Sequence, residues 1–343
     1  MHVDHKENAR TPITMTRIHN NNCLQSPSPS KALLRQSKGR EIITDRMEGL
    51  ISQEKSATYV INDYLRNFEA NVSEPVDASC RTKMIEWLYI CVTALKLRRR
   101  VVPIAFSYVD RLLSSKDDSD ISKDILEDRN KYQLVIITCL YIAVKLNEPE
   151  VLSPSILSQL SQGRYTEQDI EEEELRVLGA LDWRLTGPTA LEYVLHFLAL
   201  DIMPDTCSRS HVETAAALTT VKAISRTQAE LSLSDQSLVS VPYSVLALAS
   251  IRNAMEDVAY FAPQEWSESL EKLSTIIDID PFAHEVDEAM VSLRRLERDS
   301  ALGTALSLLS SNLVCHSPTR HKVSRAASSP NSVSRIVSVK SCR

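Results

Sequence analysis

The chain has 343 residues, 43% of them apolar, with a net charge of −6 and only 6 glycines. That is length enough for two ordinary domains with a core each, too little glycine for the tight turns of an all-β fold or for phosphate-cradling loops, and too little positive charge for a nucleic-acid surface. Seven cysteines, Cys23, Cys80, Cys91, Cys139, Cys207, Cys315 and Cys342, are scattered without a Cys-x-x-Cys pair or histidines at zinc spacing, so reduced thiols inside a cell and no metal site are expected.

Residues 1–54 are rich in small polar residues, hold Ser26-Pro27 and Ser28-Pro29, and show no helical stripe, which predicts a disordered N-terminal tail. The first thirty residues also lack the apolar core of a signal peptide. Between Thr58 and Val72 the apolar positions Val60, Ile61, Tyr64, Leu65 and Phe68 predict a single helix, stopped by Ser73-Glu74-Pro75; with its linker it fills 55–78.

From Cys80 onward the chain reads as continuously helical. Met84, Trp87, Leu88, Cys91 and Leu95 share one face, and Val102, Ala105, Val109, Leu112 and Leu113 share the next. The stretch Leu134 to Val144 is apolar on every side, which predicts a helix surrounded by others, and it is too short to cross a bilayer. Helices at Ser153–Leu160 and Asp169–Leu181, separated by the polar link Ser161-Gln162-Gly163-Arg164-Tyr165-Thr166, complete five helices over 79–186.

After Gly187-Pro188-Thr189 the pattern recurs over 187–300. Helices are expected at Leu191–Leu198, Val212–Ala229 and Val245–Met255, then near Leu270 and at Val286–Leu296. Residues 301–343 carry six Lys or Arg, no Asp or Glu, and the pairs Ser317-Pro318 and Ser329-Pro330, which predicts a basic disordered tail. The predicted fold class is therefore all-α: two tandem five-helix units preceded by an N-terminal helix, with disordered tails.

Four pieces in order, Cys80-Arg81-Thr82-Lys83-Met84-Ile85-Glu86-Trp87-Leu88, Tyr108-Val109-Asp110-Arg111-Leu112-Leu113-Ser114, Gln133-Leu134 leading to Ala143-Val144-Lys145-Leu146-Asn147-Glu148, and Glu174 four residues before Leu178 and nine before Trp183, together resemble a cyclin box. Ala229-Glu230-Leu231-Ser232-Leu233-Ser234-Asp235 followed by Ser244-Val245-Leu246-Ala247-Leu248-Ala249 resembles the opening of the C-terminal cyclin fold, so the likeness runs over about 55–298. The wording Lys145-Leu146-Asn147-Glu148-Pro149 is similar to that of cyclins from diatoms.

This resemblance implies a regulatory subunit, not an enzyme, that forms a heterodimer with a cyclin-dependent kinase and activates it in cell-cycle progression. It implies no cofactor, no membrane or nucleic-acid partner, and residence in the nucleus more than the cytoplasm. Lys145 and Glu174, with Glu148 beside them, take the positions that hold the backbone of the kinase's regulatory helix. An ammonium donates to carbonyls and a carboxylate accepts backbone N–H groups, each such bond contributing about 1.5–3 kcal/mol.

By the same resemblance Arg81 and Asp110 brace the first two box helices and Leu134 is structural. Met84 and Trp87 match the groove where some cyclins dock Arg-x-Leu segments of substrates or inhibitors. Cys80, Lys83 and Ile90 depart from that groove's usual methionine, aliphatic residue and acid, and Tyr243 stands where the second fold commonly has proline. Ser28 and Ser317 each head a Ser-Pro-x-basic segment of the kind these kinases phosphorylate.

Plainer readings stand beside these. Lys145 can simply complement a helix C-terminus, an effect of about 0.3–1 kcal/mol, and Glu174 ends the acidic run Glu171-Glu172-Glu173-Glu174, which can be a solvated helix face. Tandem cyclin folds also serve general transcription factors, and a helical scaffold without a kinase partner is a third reading. A catalytic role has no motif to rest on: the chain has no glycine-rich loop, His-Glu-x-x-His helix or nucleophile elbow.

Overall fold

Residues whose polarity predicts a disordered tail form the first helix, α1 (Pro29–Glu54), in a computed structural model that describes residues 29–66, 68–115, 119–150, 152–200, 211–258, 260 and 262–299. From Arg40 onward α1 lays one face, Ile43, Met47, Leu50 and Ile51, on a core of the second half of the chain. Those four positions follow helical spacing, and Met47 is fully buried. The remainder of the predicted tails, 1–28 and 301–343, lies outside the described residues.

The single helix expected between Thr58 and Val72 is not found among the described residues. Only Ala57–Tyr59 makes a turn of 3-10 helix, and the described residues from 60 to 77 hold no helix. The apolar residues there do pack, with Tyr64, Leu65 and Phe68 against the first core. Their backbone is captured by side chains instead: Asp63 accepts from the Arg66 N–H at 3.2 Å, and the Asn62 N–H donates to Ser114 Oγ at 3.0 Å.

The first repeat consists of α2 (Ala78–Ala94), α3 (Val101–Ser114), α4 (Ser119–Glu127), α5 (Arg129–Asn147), α6 (Pro154–Leu160) and α7 (Glu167–Ala180). Five of these match the predicted helices. The short α4, which the apolar pattern did not predict, contributes the buried Ile125 and Leu126. All ten residues from Val135 to Val144 are buried, and α5 packs against α2, α3, α4, α6 and α7. A helix without a polar face has to sit at the centre, and α5 does.

The second repeat is α8 (Ala190–Ala199), α9 (His211–Leu231), α10 (Tyr243–Asp257), α11 (Pro263–Ile277) and α12 (His284–Asp299). Its α10 plays the part of α5, with Ser244 through Ile251 buried and with α8, α9, α11 and α12 around it. No strand occurs among the described residues.

α1 is fixed to this second repeat by polar contacts at two heights. Arg46 pairs with Glu192 on α8 at 2.8 Å. Further along, the carboxylate of Glu54 accepts from the Ser244 N–H at 3.1 Å and from Tyr193 Oη at 3.4 Å. The residue before α10 is Pro242, which has no side chain able to cap it, so Glu54 supplies from another helix the acceptor that the first turn of α10 lacks. Burial raises the Glu54 pKa above the ordinary 4.5, against the lowering effect of these hydrogen bonds.

With its pKa raised on folding, this group favours the fold as pH falls through the folded value and disfavours it above. Glu54→Gln, which keeps the acceptor without the buried charge, is therefore expected to equal or exceed wild-type stability at pH 7, the difference closing as pH falls below the ordinary glutamate value of 4.5. Glu54→Ala should lose about 1 kcal/mol. Urea titrations at neutral and acid pH check both outcomes.

Candidate functional site

The helices that carry the two predicted charges are fixed before those charges meet. Asp128 caps α5, accepting from the Asn130 N–H at 2.8 Å. Thr166 caps α7 in a reciprocal box: its hydroxyl accepts from the Asp169 N–H at 3.1 Å while Asp169 accepts from the Thr166 N–H at 2.7 Å. Those bonds hold the Asp169 carboxyl below its usual range. Thr166→Ala is expected to cost about 0.5–2 kcal/mol of stability, measurable by thermal unfolding.

α7 buries Ile170, Glu173, Val177 and Leu178, which places Glu174 at the edge of the buried face. Glu173, whose carboxyl is pushed up by burial, pairs with Arg176 at 2.7 Å and is not available to a partner. Glu174 Oε1 lies 2.7 Å from Nζ of Lys145, on the last turn of α5, whose ammonium also sits 4.7 Å from the Tyr141 ring centre. Burial lowers the Lys145 pKa, but the hydrogen bond and charge of Glu174 outweigh it and raise the pKa above the ordinary lysine value.

The Lys145 side chain remains 37% exposed. The Glu174 side chain is 14% exposed, and since an ammonium has three donors and a carboxylate about four lone-pair sites, one bond between them leaves both with unused capacity, more of it accessible on Lys145.

Three large apolar side chains stand exposed, two of them next in the chain to this pair and the third past the end of α7. Leu146 is 55% exposed, Leu175 68% and Trp183 67%. Trp183 is held out past the end of α7 with φ +57°, after Asp182 at φ +49°, and its N–H bonds to the Leu178 carbonyl at 3.0 Å. An aromatic residue in the left-handed region costs on the order of 1–3 kcal/mol, which the surrounding bonds have to offset. In the sequence Trp183 served only to set the register of Glu174; the adjacency of Lys145 to Leu146 and of Glu174 to Leu175 was the available signal for an apolar rim.

The other predicted positions fall elsewhere. The Glu148 carboxylate accepts from Arg98 Nε at 2.9 Å and its side chain is only 7% exposed, so it braces the α2–α3 loop against the end of α5 instead of standing open beside Lys145. Leu134 is partly buried against the first core. Met84 is half-buried and Trp87 only 6% exposed, which leaves little apolar surface for docking there, while Lys83 and Ile90 are exposed. Ser28 and Ser317 lie outside the described residues.

Arg81 and Asp110 form a bidentate pair between α2 and α3, one arm at 2.9 Å, with Tyr64 Oη donating to Asp110 at 2.8 Å. Arg81 also donates through Nε to the Leu233 carbonyl at 3.0 Å, and Thr82 to that of Ser234 at 3.0 Å. The pair thus ties the first repeat to the second, a reach that the sequence did not reveal. Burial alone would drive the guanidinium toward neutrality; the Asp110 carboxylate more than offsets this and holds its pKa well above the ordinary arginine value. Among the described residues no cluster of His, Cys, Asp or Glu could hold a metal ion, and no helix is long and apolar enough to cross a membrane.

A family model for the cyclin N-terminal domain matches residues 45–186, and one for the cyclin C-terminal domain matches residues 188–327. The chain belongs to the cyclin family. It is 28% identical over 187 residues to cyclin-A1-4 of Oryza sativa subsp. japonica, and 24% identical over 213 residues to the G1/S-specific cyclin-D1 of Mus musculus. Those matches take in 54% and 61% of this cyclin but only 47% and 66% of the respective relatives, about half to two thirds of their length. In fold it is similar to a viral cyclin from herpesvirus saimiri, with a TM-score of 0.50 at 15% identity, over 73% of this chain and 97% of that one.

Proposed function

We propose that this cyclin is the regulatory subunit of a cyclin-dependent Ser/Thr kinase, which it binds and activates in cell-cycle progression, with no catalytic site of its own. The observation that carries this reading is the Lys145–Glu174 pair, in which Lys145 is partly exposed and each residue is followed in the chain by an exposed leucine, Leu146 and Leu175. A charge pair with spare donors and acceptors grips a partner helix by its main chain, and the leucines supply the apolar burial.

Kinase catalysis requires a glutamate of the kinase's own helix to pair with its phosphate-binding lysine. A partner that binds only the assembled arrangement shifts the population toward it, and a shift from 1:99 to 99:1 takes about 5.5 kcal/mol of differential affinity. Charge-assisted main-chain bonds at about 1.5–3 kcal/mol each, together with burial of the exposed Leu146 and Leu175 on binding, reach that scale. The existing Lys145–Glu174 bond is no obstacle, because a partly exposed ion pair contributes only about 0–1 kcal/mol.

The test is complex formation. Mixed with cyclin-dependent kinases from its own cell, the purified chain is expected to give a one-to-one complex on size-exclusion chromatography, with an interface at or above about 2,000 Å². Failure to bind any of them would overturn the reading. Nuclear residence, favoured by the basic residues of 301–343, and modification at Ser28 and Ser317 are parts of the same proposal. A cytoplasmic fluorescent fusion would count against the first, and a phosphorylation map lacking both serines against the second.

A further inference from the structure

Two arginines that contact the turn at 57–59 have no carboxylate partner among the described residues. Arg184, in the linker between the repeats, donates through Nη1 to Thr58 Oγ1 at 2.8 Å. Arg111, on α3, lies over the Tyr59 ring at 4.3 Å and donates through Nη1 to the Arg184 carbonyl at 2.7 Å. Its Nε is buried without any hydrogen-bond partner, although the residue is only 7% exposed. Elsewhere in the chain Arg81, Arg98, Arg99, Arg129 and Arg252 each pair with an acid.

One guanidinium already bonded to the exposed hydroxyl of this turn, with a second stacked on the next residue and neither meeting an acid, forms a receptor for a dianion, since planar guanidinium groups bind phosphate oxygens through parallel N–H bonds. We propose that Thr58 is a phosphorylation site and that Arg184 and Arg111 receive its phosphate. Thr58 is exposed, and Lys55 three residues before it suits a Ser/Thr kinase that selects basic residues on that side. In the reaction Thr58 Oγ1 attacks the γ-phosphorus of ATP held by that separate kinase. The new O–P bond forms as the bond to the β–γ bridging oxygen breaks, ADP leaves with the electron pair, and the hydroxyl proton passes to the kinase's catalytic carboxylate.

The phosphate brings about −1.5 to −2 charge and three strong acceptor oxygens to a spot that already holds two positive groups. Burial without a counter-ion pulls the Arg111 pKa below the ordinary arginine value, and a phosphate would remove that deficit. The turn is already docked on the linker: Tyr59 Oη donates to the Thr186 carbonyl at 2.6 Å, and its ring fits because residue 187 is glycine, where an added Cβ would stand 2.8 Å from Tyr59 Cε1. Phosphate on Thr58 would fasten the segment leading from α1 to the linker that also carries Trp183. An effect on the docking of a kinase rests on the function proposed above; the phosphate site itself does not.

The full chain carrying phosphothreonine at position 58, made by genetically encoded incorporation, gives the test by ³¹P NMR titration. The second ionisation, about pH 6 for a free phosphothreonine, is expected to lie about 0.5–1 pH unit lower in the folded chain than in the same chain unfolded in urea. Arg184→Ala should abolish most of that displacement while circular dichroism and thermal unfolding of the unphosphorylated variant stay as in wild type, because Arg184 is exposed. Mass spectrometry of the chain recovered from its own cells should find phosphate on Thr58. Identical titrations in the folded and unfolded chain, or a complete map without phosphate at Thr58, would overturn the proposal.

Discussion

Asp110→Ala is expected to destabilise the chain by about 3–5 kcal/mol, the typical loss when one member of a buried ion pair is removed and the other stays charged in the interior. Arg81 is 1% exposed and its guanidinium lies 5.0 Å from the Phe106 ring centre, so water cannot replace the lost carboxylate. Tyr64 loses its acceptor in the same step. Against a typical total of about 5–15 kcal/mol, that loss would leave a marginal protein. The double variant Arg81→Met with Asp110→Leu should be milder than either single change, since it removes the stranded charge along with the pair. Guanidinium-induced unfolding of Asp110→Ala, of the double variant and of its two single changes measures this. A loss below about 1 kcal/mol for Asp110→Ala would mean that the pair is not the clasp between repeats.

Lys145→Ala with Glu174→Ala is expected to weaken kinase binding by about 2–5 kcal/mol, roughly thirty-fold to several-thousand-fold in Kd, with stability nearly unchanged. The two effects separate because the pair lies at the surface: Lys145 is 37% exposed, and the α7 contacts that build the core come from Ile170, Val177 and Leu178. Titration calorimetry against the cognate kinase reads the first effect and thermal unfolding the second. An unchanged Kd would return Lys145 and Glu174 to an ordinary surface ion pair. Trp183→Ala, by removing exposed apolar area without touching charge, should weaken binding and leave its salt dependence as it was.

The ten helices of the two repeats expected from apolar periodicity are all present, because α5 and α10 are apolar on every side and the helices around them carry clean stripes. What escaped was held by tertiary contact more than by local pattern. α1 has four apolar anchors, Ile43, Met47, Leu50 and Ile51, among polar residues and two glycines, Gly39 and Gly49, and draws its stability from the second core. The 60–77 stretch has enough apolar residues for a helix, but Asp63 and Ser114 bind its backbone first.

The site was legible in a narrower sense. Lys145 and Glu174 stand out through the family pattern, and the structure sets them 2.7 Å apart. That Trp183 turns outward depends on two consecutive left-handed residues, and residue type alone would assign a tryptophan to the core. Glu148 stood beside Lys145 and Glu174 in the family pattern, yet Arg98 from a distant loop claims its carboxylate.

Phosphate transfer to a standard substrate is the measurement that bears most directly on this cyclin's proposed role. The cognate kinase is assayed alone, with wild-type chain, and with the Lys145→Ala, Glu174→Ala double variant, circular dichroism confirming that the variant is folded. The account predicts strong activation by wild type and activity near that of the kinase alone with the variant. Equal activation by wild type and the folded variant would contradict it.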